Sequence, residues 1–255
     1  MPDTVIAAQM YTLREFTRTP ADIAATLKKV RDIGYEAIQI SAFGPCDPSE
    51  LAKMLADTGL TVASTHTGWD RFADDIEAVI AEHRLWGCEH PAIGGMPQQY
   101  RNAEGVVTFA GLAEGVGKRL ADAGMDFSYH NHNFEFQKAG GRTWLEVLYE
   151  TADPKYLKAE IDTYWVQAGG GDPAAWVRRC AGREPVLHLK DMIMGPDGVR
   201  MAEVGEGNLN WPAILDAARD GGVRWYCVEQ DNCYDRDPFE SLRISLDNLH
   251  EMGLS

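Results

Sequence analysis

The sequence predicts a single α/β domain folded as a (β/α)8 barrel, and three observations predict it. Short apolar, β-rich runs alternate with longer amphipathic segments eight times along 255 residues. A helix that stops at glycine, followed after one or two residues by a new strand, recurs in "DIGYEAI", "DTGLTVA", "DAGMDFS" and "DGGVRWY". No Pro/Gly/Ser-rich linker interrupts the series, so the eight units fill one domain over residues 1–255, the length such a barrel needs. A doubly wound dinucleotide-binding sheet is disfavoured, because "AAQMYTLREF" follows the first run with no GxGxxG turn.

In chain order the strand candidates are "VIAAQ" (5–9), "AIQIS" (37–41), "TVASTH" (61–66), "PAIGG" (91–95), "DFSYHNH" (126–132), "LKAEID" (157–162), "PVLHLK" (185–190) and "WYCVEQ" (225–230). Each is a short run bounded by turn residues, as expected of a strand buried on both faces. Helical periodicity fills 21–33, 48–58, 71–86, 103–123, 142–151, 172–180, 210–219 and 237–252. Five of these helices open on a capping side chain just before a proline of the first turn: Thr19-Pro20, Asp47-Pro48, Asp172-Pro173, Asn210-Trp211-Pro212 and Asp237-Pro238.

Composition narrows the function. The formal net charge is −15 and no basic run exceeds two residues, which argues against nucleic acid as a partner. No stretch of about 18 apolar residues and no signal-peptide pattern occurs, so a cytoplasmic protein without a membrane partner is expected. Five scattered cysteines without a CxxC pair read as reduced thiols. A barrel of this size often self-associates, so a homo-oligomer is the prior.

Working groups in such barrels project from the C-terminal ends of strands. Those ends carry Gln9, His66, His130 with Asn131 and His132, Asp162, His188 with Lys190 and Asp191, and Glu229 with Asp231. His83, His90 and His250 fall outside this set and read as surface residues on or near helices. Asp162, His188 and Glu229 occupy equivalent positions on three successive strands, each after an apolar run that would bury it. Unpaired buried charge is costly, and a divalent cation supplies the missing positive charge. Imidazole and carboxylate ligands suit Mn2+ first, with Co2+, Zn2+, Fe2+ or Mg2+ as alternatives, and two carboxylates leave positions open for substrate oxygens. A fourth ligand is sought in "YHNHNFEF": His130 and His132 point the same way along a strand, one to bind metal and the other to act as a base or contact substrate. Glu135 follows on the loop as a supporting partner, a base or a solvated carboxylate.

This constellation resembles the sugar phosphate isomerase/epimerase family of xylose isomerase-like barrels. The likeness runs from "AAQMYTLR" through "STHTGWD", "YHNHNFEF", "EIDTYWV", "VLHLKDM" and "EVGEGNLNW" to "CVEQD". It implies metal ligands at Asp162, His188 and Glu229, and it aligns His130 with a strand-five ligand that is glutamate in the epimerases. The "YHNHNFEF" form resembles a subgroup that includes dehydratases and lyases of keto-sugars and keto-glycosides. The endonuclease branch fits less well, since "DTYW" puts Trp165 where a further metal ligand would be needed.

The implied activity is a metal-dependent sugar isomerase or epimerase that abstracts a proton next to a carbonyl. The alternatives are a dehydratase or lyase on an inosose, keto-sugar or 3-keto-glycoside and, third, a non-catalytic sugar-binding barrel. Catalytic roles are expected of Glu229, His130 and His132, and substrate contacts of His66, Lys190, Asp191, Gln9 and Trp165, with Trp69, Tyr164 and Tyr11 as further walls of the mouth. The partner is a small-molecule sugar. No Gly-rich phosphate loop is present, so it is at least as well read as uncharged as phosphorylated.

Overall fold

The computed structural model describes residues 4–254, and in it eight parallel strands close into a barrel. Strands one to eight are Val5–Gln9, Ala37–Ile40, Thr61–His66, Pro91–Ile93, Ser128–His130, Lys158–Asp162, Val186–Leu189 and Trp225–Val228. Each pairs with its sequence neighbours, and strand eight closes on strand one with Cys227 opposite Ala7. Helices cover the outside, and a large apolar core lies between them and the strands.

All five capping signals are realised. Thr19 and Asp22 form a reciprocal capping box, and Asp47, Asp172, Asn210 and Asp237 each accept a backbone N–H from the first turn of their helices. The single helix expected over 71–86 is instead two, Trp69–Asp74 and Ile76–Trp86, parted at Asp75, whose ψ of 42° leaves the helical region. His83, expected on the surface, is buried: Nε2 meets Thr65 Oγ1 at 2.7 Å and Nδ1 meets Val79 O at 2.7 Å. Two antiparallel ribbons were not anticipated, Lys138–Ala139 with Arg142–Thr143 and the longer Asp191–Gly195 with Gly198–Ala202. Among the described residues no helix is long and apolar enough to cross a membrane.

The inside of the barrel is graded. At its lower end Ala7, Ala37, Ala63, Val186, Trp225 and Cys227 make a small apolar plug. One strand repeat further up, the same inward-facing rows become Gln9, Gln39, His188 and Glu229, with Glu160 and Asp162 both on strand six. A bulge at Ala63, where Ile38 pairs with Val62 but Gln39 with Ser64, lets Ser64 also face inward and reach Glu160. The apolar plug thus carries a polar upper layer that opens at the C-terminal mouth.

Candidate active site

Four strand ends bring His130, Asp162, His188 and Glu229 together, with one nitrogen or oxygen of each lying within 4.8 Å of the others. All four are buried. Asp162 divides its carboxylate: Oδ1 accepts the N–H of Trp165 at 2.8 Å and caps the helix Thr163–Ala168, while Oδ2 faces the cluster, 3.3 Å from His130 Nε2. His188 Nδ1 lies 3.0 Å from Glu229 Oε2.

Lys190 sits in the middle of these acids although it is only 1% exposed, with Nζ 3.1 Å from Asp162, 2.8 Å from Glu229 and 2.9 Å from Asp231. Burial opposes its charge, but the three carboxylates outweigh burial and raise its pKa. The same balance, seen from the acids, holds Asp162 and Glu229 below the usual carboxylate range despite their burial. Asp231 is pushed up to about 6, by burial first and then by Glu229.

Strand six contributes a second buried acid. Glu160 Oε1 lies 2.6 Å from His66 Nε2, 2.8 Å from Gln39 Nε2 and 2.8 Å from His188 Nε2, while Oε2 accepts from Ser64 Oγ at 3.2 Å. Burial pushes this carboxyl up, but the two imidazoles hold it well below its ordinary range. His188 is in turn raised to about 10, Glu160 and Glu229 overcoming the cost of burying its charge. Glu160 therefore fixes His188 from behind and leaves Nδ1 for the cluster, the arrangement by which carboxylates orient metal-binding imidazoles elsewhere. Sequence reasoning passed over Glu160 as part of an apolar run. The signal was its spacing, two residues before Asp162 on one strand and hence on the same face.

Strand five is shorter than expected and ends at His130. Asn131 and His132 leave the ladder: Asn131 Oδ1 accepts the N–H of Asp162 at 3.1 Å, and the N–H of His132 donates to Glu135 Oε2 at 2.9 Å. Both histidines still reach the mouth, their rings 5.0 Å apart and nearly perpendicular. Burial drives His130 down to about 4 and His132 to about 3, helped by the neighbouring positive charges, so both are neutral imidazoles. The loop carboxylate Glu135 is not solvated. It is buried, accepts the Tyr129 hydroxyl at 2.6 Å, and rises through burial to about 7.

A cavity of about 350 Å3 opens over this cluster, walled by Tyr11, Ser41, His66, Gly94, His130, His132, Trp165, Lys190, Glu229 and Asp231. Of the residues expected to contact substrate, His66, Lys190 and Trp165 line it. Gln9 does not: it is fully buried, with Nε2 3.4 Å from His66 Nδ1 and Oε1 accepting the N–H of Tyr11. Asp191 is also a correction. Its carboxylate is buried and accepts the N–H groups of Gly205, Gly207, Leu209 and Met192 and the indole N–H of Trp211, so it organises the loop 203–211 and faces away from the mouth.

The cluster suits a divalent cation on two grounds. Four carboxylates, Glu160, Asp162, Glu229 and Asp231, surround the single ammonium of Lys190, and their pull on the His188 proton marks a place where a divalent ion could take over that positive charge and free Nδ1. Nδ1 of His130 and Nδ1 of His132 are also buried without a hydrogen-bond partner.

Comparison with known proteins agrees with this architecture. An inosose dehydratase of Geobacillus kaustophilus (strain HTA426) is 26% identical over 190 residues, covering 65% of this chain and 61% of the dehydratase. A sugar phosphate isomerase/epimerase from Parabacteroides distasonis ATCC 8503 superposes with a TM-score of 0.80 at 23% identity, covering 98% of this chain and 94% of that one. An L-ribulose 3-epimerase superposes with a TM-score of 0.75 at 18% identity, covering 98% and 94%. The family model described as xylose isomerase-like TIM barrel matches residues 27–251. With its closed barrel and that match over most of its length, this chain belongs to the xylose isomerase-like TIM barrel family.

Proposed function

We propose that the protein is a metal-dependent sugar isomerase or epimerase that removes a proton from the carbon next to a carbonyl of a ketose or keto-sugar. The observation that carries this reading is the convergence of His130, Asp162, His188 and Glu229 at the floor of a polar cavity. These four residues would hold the ion, with Mn2+ the first choice for two imidazoles and two carboxylates. A bound divalent ion supplies positive charge that stabilises the negative charge developing on the carbonyl oxygen as the neighbouring carbon loses its proton.

The side chains account for the remaining steps. Lys190, kept charged by three acids, sets a positive charge on the cavity wall, where a substrate oxygen could replace one of its carboxylate partners. His132 lines the cavity, and its buried Nδ1 has no hydrogen-bond partner among the described residues, so it is placed to receive the proton, although burial makes it a weak base until substrate and metal alter its surroundings. Glu229 serves as ligand and as a second acceptor. Trp165 and Tyr11 give the ring apolar faces to rest on. Proton return to the adjacent carbon gives an isomer, and return to the opposite face gives an epimer.

Likeness to an inosose dehydratase favours a second reading, in which the deprotonated carbon forms a double bond as the β C–O bond breaks and the hydroxyl takes the abstracted proton to leave as water. One experiment separates the two. Protein stripped of metal and reloaded with Mn2+ is incubated in D2O with a panel of ketoses, inososes and 3-keto-glycosides and followed by NMR. Deuterium in recovered or isomerised sugar, only with metal present, is the expected result, and an enone product identifies the dehydratase. Tight metal binding with no exchange on any substrate would overturn the proposal in favour of a sugar-binding barrel.

Glu160 provides a further check. Glu160→Gln keeps the shape but holds the Nε2–H of His188 less firmly and makes the ring a poorer donor, so divalent metal affinity is expected to fall about 10- to 100-fold in competition with a chromophoric chelator. Unchanged affinity would reduce Glu160 to a packing residue.

A further inference from the structure

The cavity over the cluster does not end at its own walls. His66 and Gly94 also line a second space of about 510 Å3 beyond the ends of strands three and four. Gly94 puts no side chain between the two spaces, and a Cβ there would lie 3.1 Å from His66 Nδ1, so a larger residue would crowd the shared wall. The mouth cavity is at the lower end of the range of small-ligand pockets, about 300–1,000 Å3, and the two adjoining spaces taken together reach its upper part.

The second space is equipped for a polar ring. Trp69 stands on its wall, backed by Phe109 with ring centroids 4.9 Å apart, which offers an indole to the C–H face of a sugar. Arg101 is braced rather than free: Nε donates to Met96 O at 2.8 Å, and the guanidinium carbon lies 3.9 Å over Phe134. Its terminal nitrogens have no acceptor among the described residues and form no ion pair with Asp70, although both residues line this space. Gln99 adds a carboxamide. A braced guanidinium fork, a carboxylate and an amide match vicinal hydroxyls, which both donate and accept. With one acid against one base, and a chain of net charge −15, the space is poorly suited to a phosphate or carboxylate.

We propose that this space is a subsite for a second, uncharged ring, so that the substrate is a two-ring molecule: a carbonyl sugar at the mouth bearing a glycosyl or cyclic polyol substituent that rests on Trp69. The proposal rests on the function proposed above only for which ring reacts. It is tested by binding without turnover. Calorimetry on the Mn2+-loaded protein compares a panel of disaccharides with glucose and glucose 6-phosphate. At least one disaccharide is expected to bind about tenfold tighter than its constituent monosaccharides, and Trp69→Leu should remove most of that advantage while leaving monosaccharide binding unchanged. Gln99→Trp, a change at an exposed position that fills the space, should do the same without risk to the fold. Equal binding of mono- and disaccharides would overturn the subsite, as would an equal loss for both in Trp69→Leu. A preference for glucose 6-phosphate that resists Trp69→Leu would replace the ring with an anion. Because exchange plays no part in this readout, failure of the enolisation chemistry and failure of the subsite are observed separately.

Discussion

Glu229→Gln is expected to lower metal-dependent deuterium exchange by about a thousandfold or more, with the protein still folded. Glutamine matches glutamate in size, so the packing on strand eight is preserved, but three interactions change together. The cluster loses one of the two carboxylates proposed to hold the ion, His188 Nδ1 loses its 3.0 Å partner Oε2, and Lys190 loses a carboxylate at 2.8 Å. Metal affinity should fall as well, so exchange is to be measured at saturating Mn2+ to separate occupancy from chemistry. Asp162→Asn should act similarly through Oδ2, while retaining an oxygen to cap Trp165. If Glu229→Gln kept a rate within tenfold of wild type under saturation, Glu229 would be a bystander and the cluster would not be the reacting centre. A large loss of far-UV ellipticity would show instead that the acid is structural.

The residues behind this prediction were legible in the sequence because their positions were simple. Asp162 ends its strand, His188 lies one residue before the end of its own and Glu229 immediately follows its strand, and barrel geometry sends strand ends to one rim. The eight strands were legible for a related reason: runs buried on both faces read as unbroken apolar segments, and helix-ending glycines such as Gly59 and Gly222, both at positive φ, mark where one unit gives way to the next. What stayed hidden depended on local competition. "RFADDIEAV" keeps helical periodicity across Asp75, so nothing in the pattern announces the break there. His132 reaches the mouth from a loop and not from a strand, because Glu135 captures its N–H and ends the ladder two residues early. That capture is a tertiary event invisible to a period-two reading.

Asp191 shows the same limit, and removing its side chain yields the largest expected loss of stability. Its neighbours His188 and Lys190 follow the inward period of strand seven, so an odd-numbered shift sends Asp191 the other way, toward the loop 203–211. There it meets the indole N–H of Trp211 at 2.6 Å and the N–H groups of Gly205 at 2.9 Å and Gly207 at 3.1 Å through Oδ2, and those of Leu209 and Met192 through Oδ1. The loop is shaped for this acid: Gly205 lies at φ +91°, and a Cβ at Gly207 would strike the carboxylate. Asp191→Ala strips the partner from several buried donors at once, each costing about 1–3 kcal/mol when left unmet, and a net loss of about 3–5 kcal/mol is expected after relaxation. For a domain of this size that corresponds to a drop in Tm of roughly 10 °C. Proteolysis within 203–211 should accelerate in parallel, since the anchored backbone is released. A substrate-binding aspartate would behave in the opposite way, with KM raised and Tm unmoved, and that outcome would restore the role the sequence suggested.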